Sequence, residues 1–157
     1  MANDKKFLIF NVATKDRAGI LVDSITEVFQ VSLADILPVP DVPGCVLGIY
    51  NWRGEMLWLV DLEYMLGYPP LTPSASSLST LMAIVLQTPG KSLGLVVRQL
   101  IDIEWLDIEQ MKPVNPELFS RQILTFLQGY FINDSNEIIM SLDDKAIIQA
   151  SIWERKN

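Results

Sequence analysis

The chain has 157 residues, half of them apolar, with twelve basic against nineteen acidic residues for a net charge of −7, one cysteine and no histidine. So much apolar material argues against disorder and is enough for a buried core, and an acidic chain with no Lys or Arg cluster is a poor partner for a phosphate backbone. Without histidine, the commonest general base and metal ligand is missing.

From the N-terminus, residues 1–6 are polar and lead straight into Phe7-Leu8-Ile9-Phe10, so no secretory signal is read there. The longest apolar runs, near residues 56–60 and 81–86, are far shorter than the roughly 20 residues a membrane helix needs. The lone Cys45 cannot make an internal disulfide, and a cytoplasmic location is expected. Short segments rich in Val, Ile and Leu follow one another, separated by turn residues such as Lys15-Asp16, Pro40-Asp41, Pro43-Gly44 and Pro89-Gly90. The stretch 48–67 carries the most local information. It predicts a polar turn at Asn51-Trp52-Arg53-Gly54, a strand over 56–60, and a helical turn with Asp61 as N-cap and Gly67 as its stop. Prolines and serines at 69–77 have linker composition.

Sliding the sequence by 75 positions lays Gly19-Ile20-Leu21-Val22 on Gly94-Leu95-Val96-Val97. At the same offset residues 7–10 fall on 82–85, Ile25 on Leu100, Glu27 on Asp102, Val28 on Ile103 and Pro38 on Pro113. Past the prolines the offset grows. Gly48 meets Gly129, and Asp61 meets Asp143 ahead of a second helical stretch at 145–153. A repeat of short strands predicts an all-β protein of two small barrels or sandwiches with pseudo-twofold symmetry. The expected layout is a single domain over 1–157, with subdomains at 7–68 and 82–150 and a linker at 69–81, leaving room for the copies to exchange a terminal strand. The seam between two such units is a favoured place for a ligand or a partner.

Enzyme chemistry finds little footing in this pattern. A Ser-His-Asp or Cys-His arrangement is impossible without histidine. Cys45 stands beside Gly44 among apolar residues, with no basic neighbour, and reads as a small core or turn residue. Asp102, Glu104, Asp107 and Glu109 read as a solvated strand edge. Gly90-Lys91-Ser92 ends like a phosphate loop, but Val85 stands where its first glycine is required. No residue is assigned to catalysis, to a cofactor or to a metal, and a binding or scaffolding role leads.

Gly48-Ile49-Tyr50-Asn51-Trp52-Arg53-Gly54, followed by Leu59-Val60-Asp61-Leu62, resembles the signature of the CheW family of chemotaxis coupling proteins. Ile25-Thr26-Glu27-Val28, Ile36-Leu37-Pro38, Gly94-Leu95-Val96-Val97 and Gly129 resemble further elements of that family, so the likeness spans residues 7–148. The resemblance implies two SH3-like five-stranded β-barrel subdomains. It also implies a non-catalytic adaptor joining the cytoplasmic tip of a chemoreceptor to the regulatory domain of a CheA-type histidine kinase, at receptor arrays near the inner membrane. That regulatory domain itself resembles the family, which implies barrel-to-barrel association, and receptor helices are expected in the groove between subdomains. Alternatives are an adaptor of a type IV pilus twitching or phototaxis system and a small-ligand-binding barrel pair. The chain departs from the family at Trp52, where an aliphatic residue is usual, at Trp58, where proline is, and at Arg98, where Asp commonly follows Val-Val.

Ile25, Val28, Met82 and Ile103 are expected near the seam, and with Gly48, Asn51, Trp52 and Arg53 they make up the predicted partner-binding set. Arg53 has a second reading, as half of a partly buried structural ion pair with Glu27. Gly48 and Gly54 are expected to supply backbone freedom at the turn. Of the four tryptophans, Trp52 and Trp153 are the expected interface candidates, Trp58 falls inside an apolar strand and Trp105 on an edge.

Overall fold

The computed structural model describes residues 3–71 and 80–150; residues 72–79 of the expected linker, and Trp153, lie outside them. Strands β1 (Asp4–Val12), β2 (Asp16–Leu21), β3 (Ile25–Ser32), β4 (Val46–Trp52), β5 (Glu55–Asp61), β6 (Thr80–Thr88), β7 (Lys91–Val97), β8 (Leu100–Asp107), β9 (Leu127–Ile132) and β10 (Ile138–Leu142) make two five-stranded sheets. The first is ordered β8-β1-β2-β10-β9 and the second β3-β6-β7-β5-β4. Among the described residues three short α-helices accompany them, α1 (Leu62–Met65), α2 (Arg121–Leu124) and α3 (Asp144–Ile148). The expected all-β architecture of two five-stranded units is therefore present.

The stretches 7–68 and 82–150 do not correspond to the two sheets. The first sheet takes β1 and β2 from the first copy of the repeat and β8, β9 and β10 from the second; the second sheet takes β3, β4 and β5 from the first copy and β6 and β7 from the second. A whole hairpin is exchanged rather than a terminal strand, and the exchange is reciprocal. Parallel to β10 runs β2, with Gly19 opposite Ser141, just as β7 runs parallel to β5, with Gly94 opposite Leu59. Among the described residues the chain changes sheet at two places, a 3-10 turn at Val22–Ser24 and the pair Arg98 and Gln99.

This arrangement explains the unbroken apolar run of β1. Phe7 and Ile9 point into a small core within the first sheet with Phe131 and Ile139, while Leu8, Phe10 and Val12 point into the large core shared between sheets. Its counterpart β6 does the same, with Leu81, Ala83 and Val85 in the second sheet's own core and Ile84 and Leu86 in the shared one. Strands buried on both faces lose the usual alternation and read as continuous hydrophobic segments. Fully burying one such side chain contributes about 1.5–3 kcal/mol, so the shared core binds the sheets into one body.

Local signals fall at equivalent places in both copies. Asp61 and Asp143 cap α1 and α3, accepting from Tyr64 N and Ala146 N, each at 3.1 Å. Leu37 bridges to Ile49 and Lys112 to Tyr130, so the segment before each proline crosses β4 or β9. Glycine is required at that crossing: a Cβ on Gly48 would collide with the carbonyl oxygen of Leu37, and one on Gly129 with that of Lys112.

Candidate partner-binding seam

The two crossovers feed directly into β3 and β8, the outer strands that border the shared core. Val28 lies opposite Ile84 and Ile103 opposite Leu8, and both of those partners are buried in that core. Residues directly opposite in an antiparallel pair project from the same face, so Val28 and Ile103 face the seam. Ile25, Val28 and Met82 are half-buried and pack on the shared core, whereas Ile103 is 52% exposed. Trp105, two residues further along β8, is 62% exposed with the Lys6 ammonium 5.3 Å from its ring centre. The acidic residues of β8 sit on an edge strand, with Asp102 exposed and its carboxylate accepting from Ile103 N at 2.7 Å.

The other half of the predicted set lies at the β4-β5 turn. Arg53 and Gly54 join the strands with positive φ of 53° and 78°, the geometry of a type I′ hairpin. Asn51 is exposed and its side chain accepts from Gly54 N at 3.1 Å. Glu27 Oε1 receives both Trp52 Nε1, at 3.0 Å, and the Arg53 guanidinium, at 2.6 Å, with that guanidinium 5.2 Å from the centre of the Trp52 ring. Two expectations need correction here. The expected Glu27–Arg53 ion pair is present and half-buried at its Glu27 end, 31% exposed, but the Arg53 side chain is 66% exposed, and a pair with so solvated a cation contributes about 0–1 kcal/mol. Trp52, expected at an interface, is only 7% exposed, its indole packed in the second sheet's own core with one edge on the groove described below.

Trp58 and Met56 show the reverse. Along β5, Leu57 and Leu59 point inward and leave Met56, 74% exposed, and Trp58, 37% exposed, on the outer face. A strand's period of two sets Trp58 opposite Leu57 and Leu59, although the sequence there is apolar throughout. These side chains line a groove of about 760 Å³ with Val42, Pro43, Lys91 and Ile148. Open on the solvent side along Met56, it is not the enclosed apolar chamber a small-ligand carrier requires.

Behind the seam lies a polar joint that sequence reasoning missed. Glu63, 1% exposed on α1, accepts from Arg98 Nε through both oxygens, at 2.8 and 3.0 Å, and from Ala13 N at 2.8 Å. Asp61, equally buried, accepts from Tyr64 N and from Leu71 N, the latter at 2.7 Å, and its burial pushes the carboxyl above its ordinary range. Tyr68 Oη donates to Asp16 at 2.5 Å, tying the end of α1 to the first sheet. Cys45 is buried, and that burial raises its thiol pKa. Among the described residues no three His, Cys, Asp or Glu side chains gather as a metal site, and no helix is long and apolar enough to cross a membrane.

Two five-stranded sheets thus share one core, with half-buried aliphatic side chains packed at its margin. The chain belongs to the CheW-like domain family, whose model matches residues 6–151. It is 28% identical over 137 residues to the probable chemotaxis protein CheW of Rhizobium etli, covering 87% of this chain and 83% of that one. To the chemotaxis protein CheW of Rhizobium meliloti it is 30% identical over 92 residues, 59% of this chain and 56% of that one. Its fold is similar to the crystal structure of the scaffolding protein TtCheW from Thermoanaerobacter tengcongensis, with a TM-score of 0.76 at 22% identity over 98% of this chain and 90% of that one.

Proposed function

We propose that this protein is a non-catalytic chemotaxis adaptor that couples chemoreceptors to a CheA-type histidine kinase in the cytoplasm. Receptor helices dock in the seam against Ile25, Val28, Met82 and Ile103, and the kinase's regulatory domain associates barrel to barrel. The observation that carries this reading is the set of half-buried aliphatic residues Ile25, Val28 and Met82 packed on the shared core, with exposed Ile103 paired to that core's Leu8, within a chain that belongs to the CheW-like family. An amphipathic helix laid in an apolar groove is a recurring mode of recognition. Holding receptor and kinase together lets the receptor's conformation shift the kinase's active population, which is a coupling free energy between two sites.

A binding titration of the purified protein against a kinase regulatory domain and a receptor cytoplasmic fragment from the same genome tests this. Binding to both in the micromolar range or tighter, about −8 kcal/mol or better, is the expected result. Failure to bind any kinase of that genome, with the protein folded, would overturn it.

A further inference from the structure

We propose that Arg98 and Glu63 are positioning residues: their ion pair fixes the second crossover and thereby holds the β8 wall of the seam in place opposite the β3 wall. The inference rests on the reading of the seam as the receptor site.

The strands read as the seam's two walls start where the chain changes sheet, β3 directly after Val22–Ser24 and β8 directly after Arg98 and Gln99. These crossovers are equivalent in the repeat, yet they are built differently. Asp23 occupies the position equivalent to Arg98 and is exposed on a 3-10 turn. Arg98 instead reaches a carboxylate that is almost wholly buried. Glu63 belongs to α1, which follows the second sheet's β5, while Ala13, its other donor, sits in the β1-β2 turn of the first sheet. Ala13 has a φ of 56°, a left-handed conformation that a non-glycine residue holds only when its surroundings enforce it. Gln99 is tied as well, its carbonyl accepting from Asn11 N at 3.0 Å. One carboxylate thus joins three segments: the second sheet's helix, the first sheet's turn and the crossover between them. Ile103 lies three residues beyond Leu100, roughly 10 Å along a stiff strand, so a shift at Arg98 moves the wall.

The test compares Arg98→Asp, Arg98→Lys, the reversed pair Glu63→Arg with Arg98→Asp, and Ile103→Glu, reading affinity for a receptor cytoplasmic fragment, affinity for a kinase regulatory domain, and melting temperature. Arg98→Asp, which sets two carboxylates together, is expected to weaken receptor binding about tenfold and leave kinase binding within about twofold. The reversed pair restores opposite charges but leaves Ala13 N without its acceptor, so it is expected to recover only part of the loss; no recovery at all would overturn the role of the ion pair. Should Arg98→Asp not fold, Arg98→Lys is read in its place, with a loss of about threefold expected from the altered donor geometry. Receptor binding unchanged in the folded Arg98 variants, while Ile103→Glu abolishes it, would overturn the positioning role alone. An equal loss for both partners would also overturn it, as a general loss of structure. Receptor binding unchanged in Ile103→Glu would overturn the seam reading and this proposal with it.

Discussion

Trp52 Nε1 donates a hydrogen bond to Glu27 Oε1 at 3.0 Å, so this carboxylate is held by a buried indole as well as by the exposed Arg53. The two donors should differ sharply when removed. Arg53→Ala is expected to change stability by about 0–1 kcal/mol, because its guanidinium is already solvated. Glu27→Ala, which leaves the indole N–H without its acceptor, is expected to lose about 1–3 kcal/mol. Urea unfolding of both variants checks the order; an Arg53→Ala loss as large as that of Glu27→Ala would show that the ion pair dominates.

Gly48 and Gly54, which the sequence groups together, should behave differently. A methyl group at Gly48 meets the Leu37 carbonyl, whereas nothing lies within 4 Å of one at Gly54. Gly54→Ala is expected to lose only the left-handed backbone penalty of about 1–2 kcal/mol. Gly48→Ala adds to that penalty a backbone displacement of about 1–3 kcal/mol. Thermal unfolding of the two variants settles the comparison, and Gly129→Ala, which meets the Lys112 carbonyl without a positive φ, is expected to lose the displacement part alone.

Ile103→Glu is expected to leave the fold intact, with stability changed by no more than about 0.5 kcal/mol, because its side chain is half in solvent. Phe10→Ala, at a fully buried position of the shared core, is expected to lose about 3–5 kcal/mol. Denaturation curves with receptor-fragment affinities separate the two kinds of damage. A stability loss for Ile103→Glu comparable to that of Phe10→Ala would place Ile103 in the core.

Tyr68 provides a pH dependence. Burial first, then its bond to Asp16 and that residue's charge, push the phenol above its ordinary value of 10.0. The folded state therefore keeps this proton at pH values where the unfolded chain releases it. The stability so contributed is complete below pH 10.0 and is lost as pH rises above it. Tyr68→Phe is expected to cost about 0.5–1.5 kcal/mol at neutral pH and to flatten the decline above pH 10.0. Urea titrations from pH 7 to 11 measure both; an unchanged alkaline slope would remove Tyr68 as its source.

The tryptophans show where reading by segment falls short. Trp52 ends a strand beside a polar turn and looks exposed, while Trp58 sits within an apolar run and looks buried; the structure has them the other way round. For Trp58, a strand's period of two sets it on the face opposite Leu57 and Leu59, a cue masked by an all-apolar run in which Val60, of the same parity as Trp58, is buried. Trp52 offered no such cue, because its burial depends on Glu27 of β3 lying within reach. The Glu63 and Arg98 pair was equally illegible, since the partners are 35 positions apart and on different elements.

By itself the sequence determined the strands, the capped turns, the repeat and the family. Asp61 and Asp143 cap their helices, and Gly48 and Gly129 admit the crossing segments, because these are local requirements written into single residues. Only the tertiary structure decided which hairpin joins which sheet. A repeated hairpin presents the same alternation and the same glycine in both copies, so β2 fits beside β10 as well as β7 fits beside β5. Local pairing is thus degenerate between the exchanged and unexchanged arrangements. The degeneracy is lifted by terms that no single segment contains: the short crossovers, and a shared core that strands of both copies must fill together.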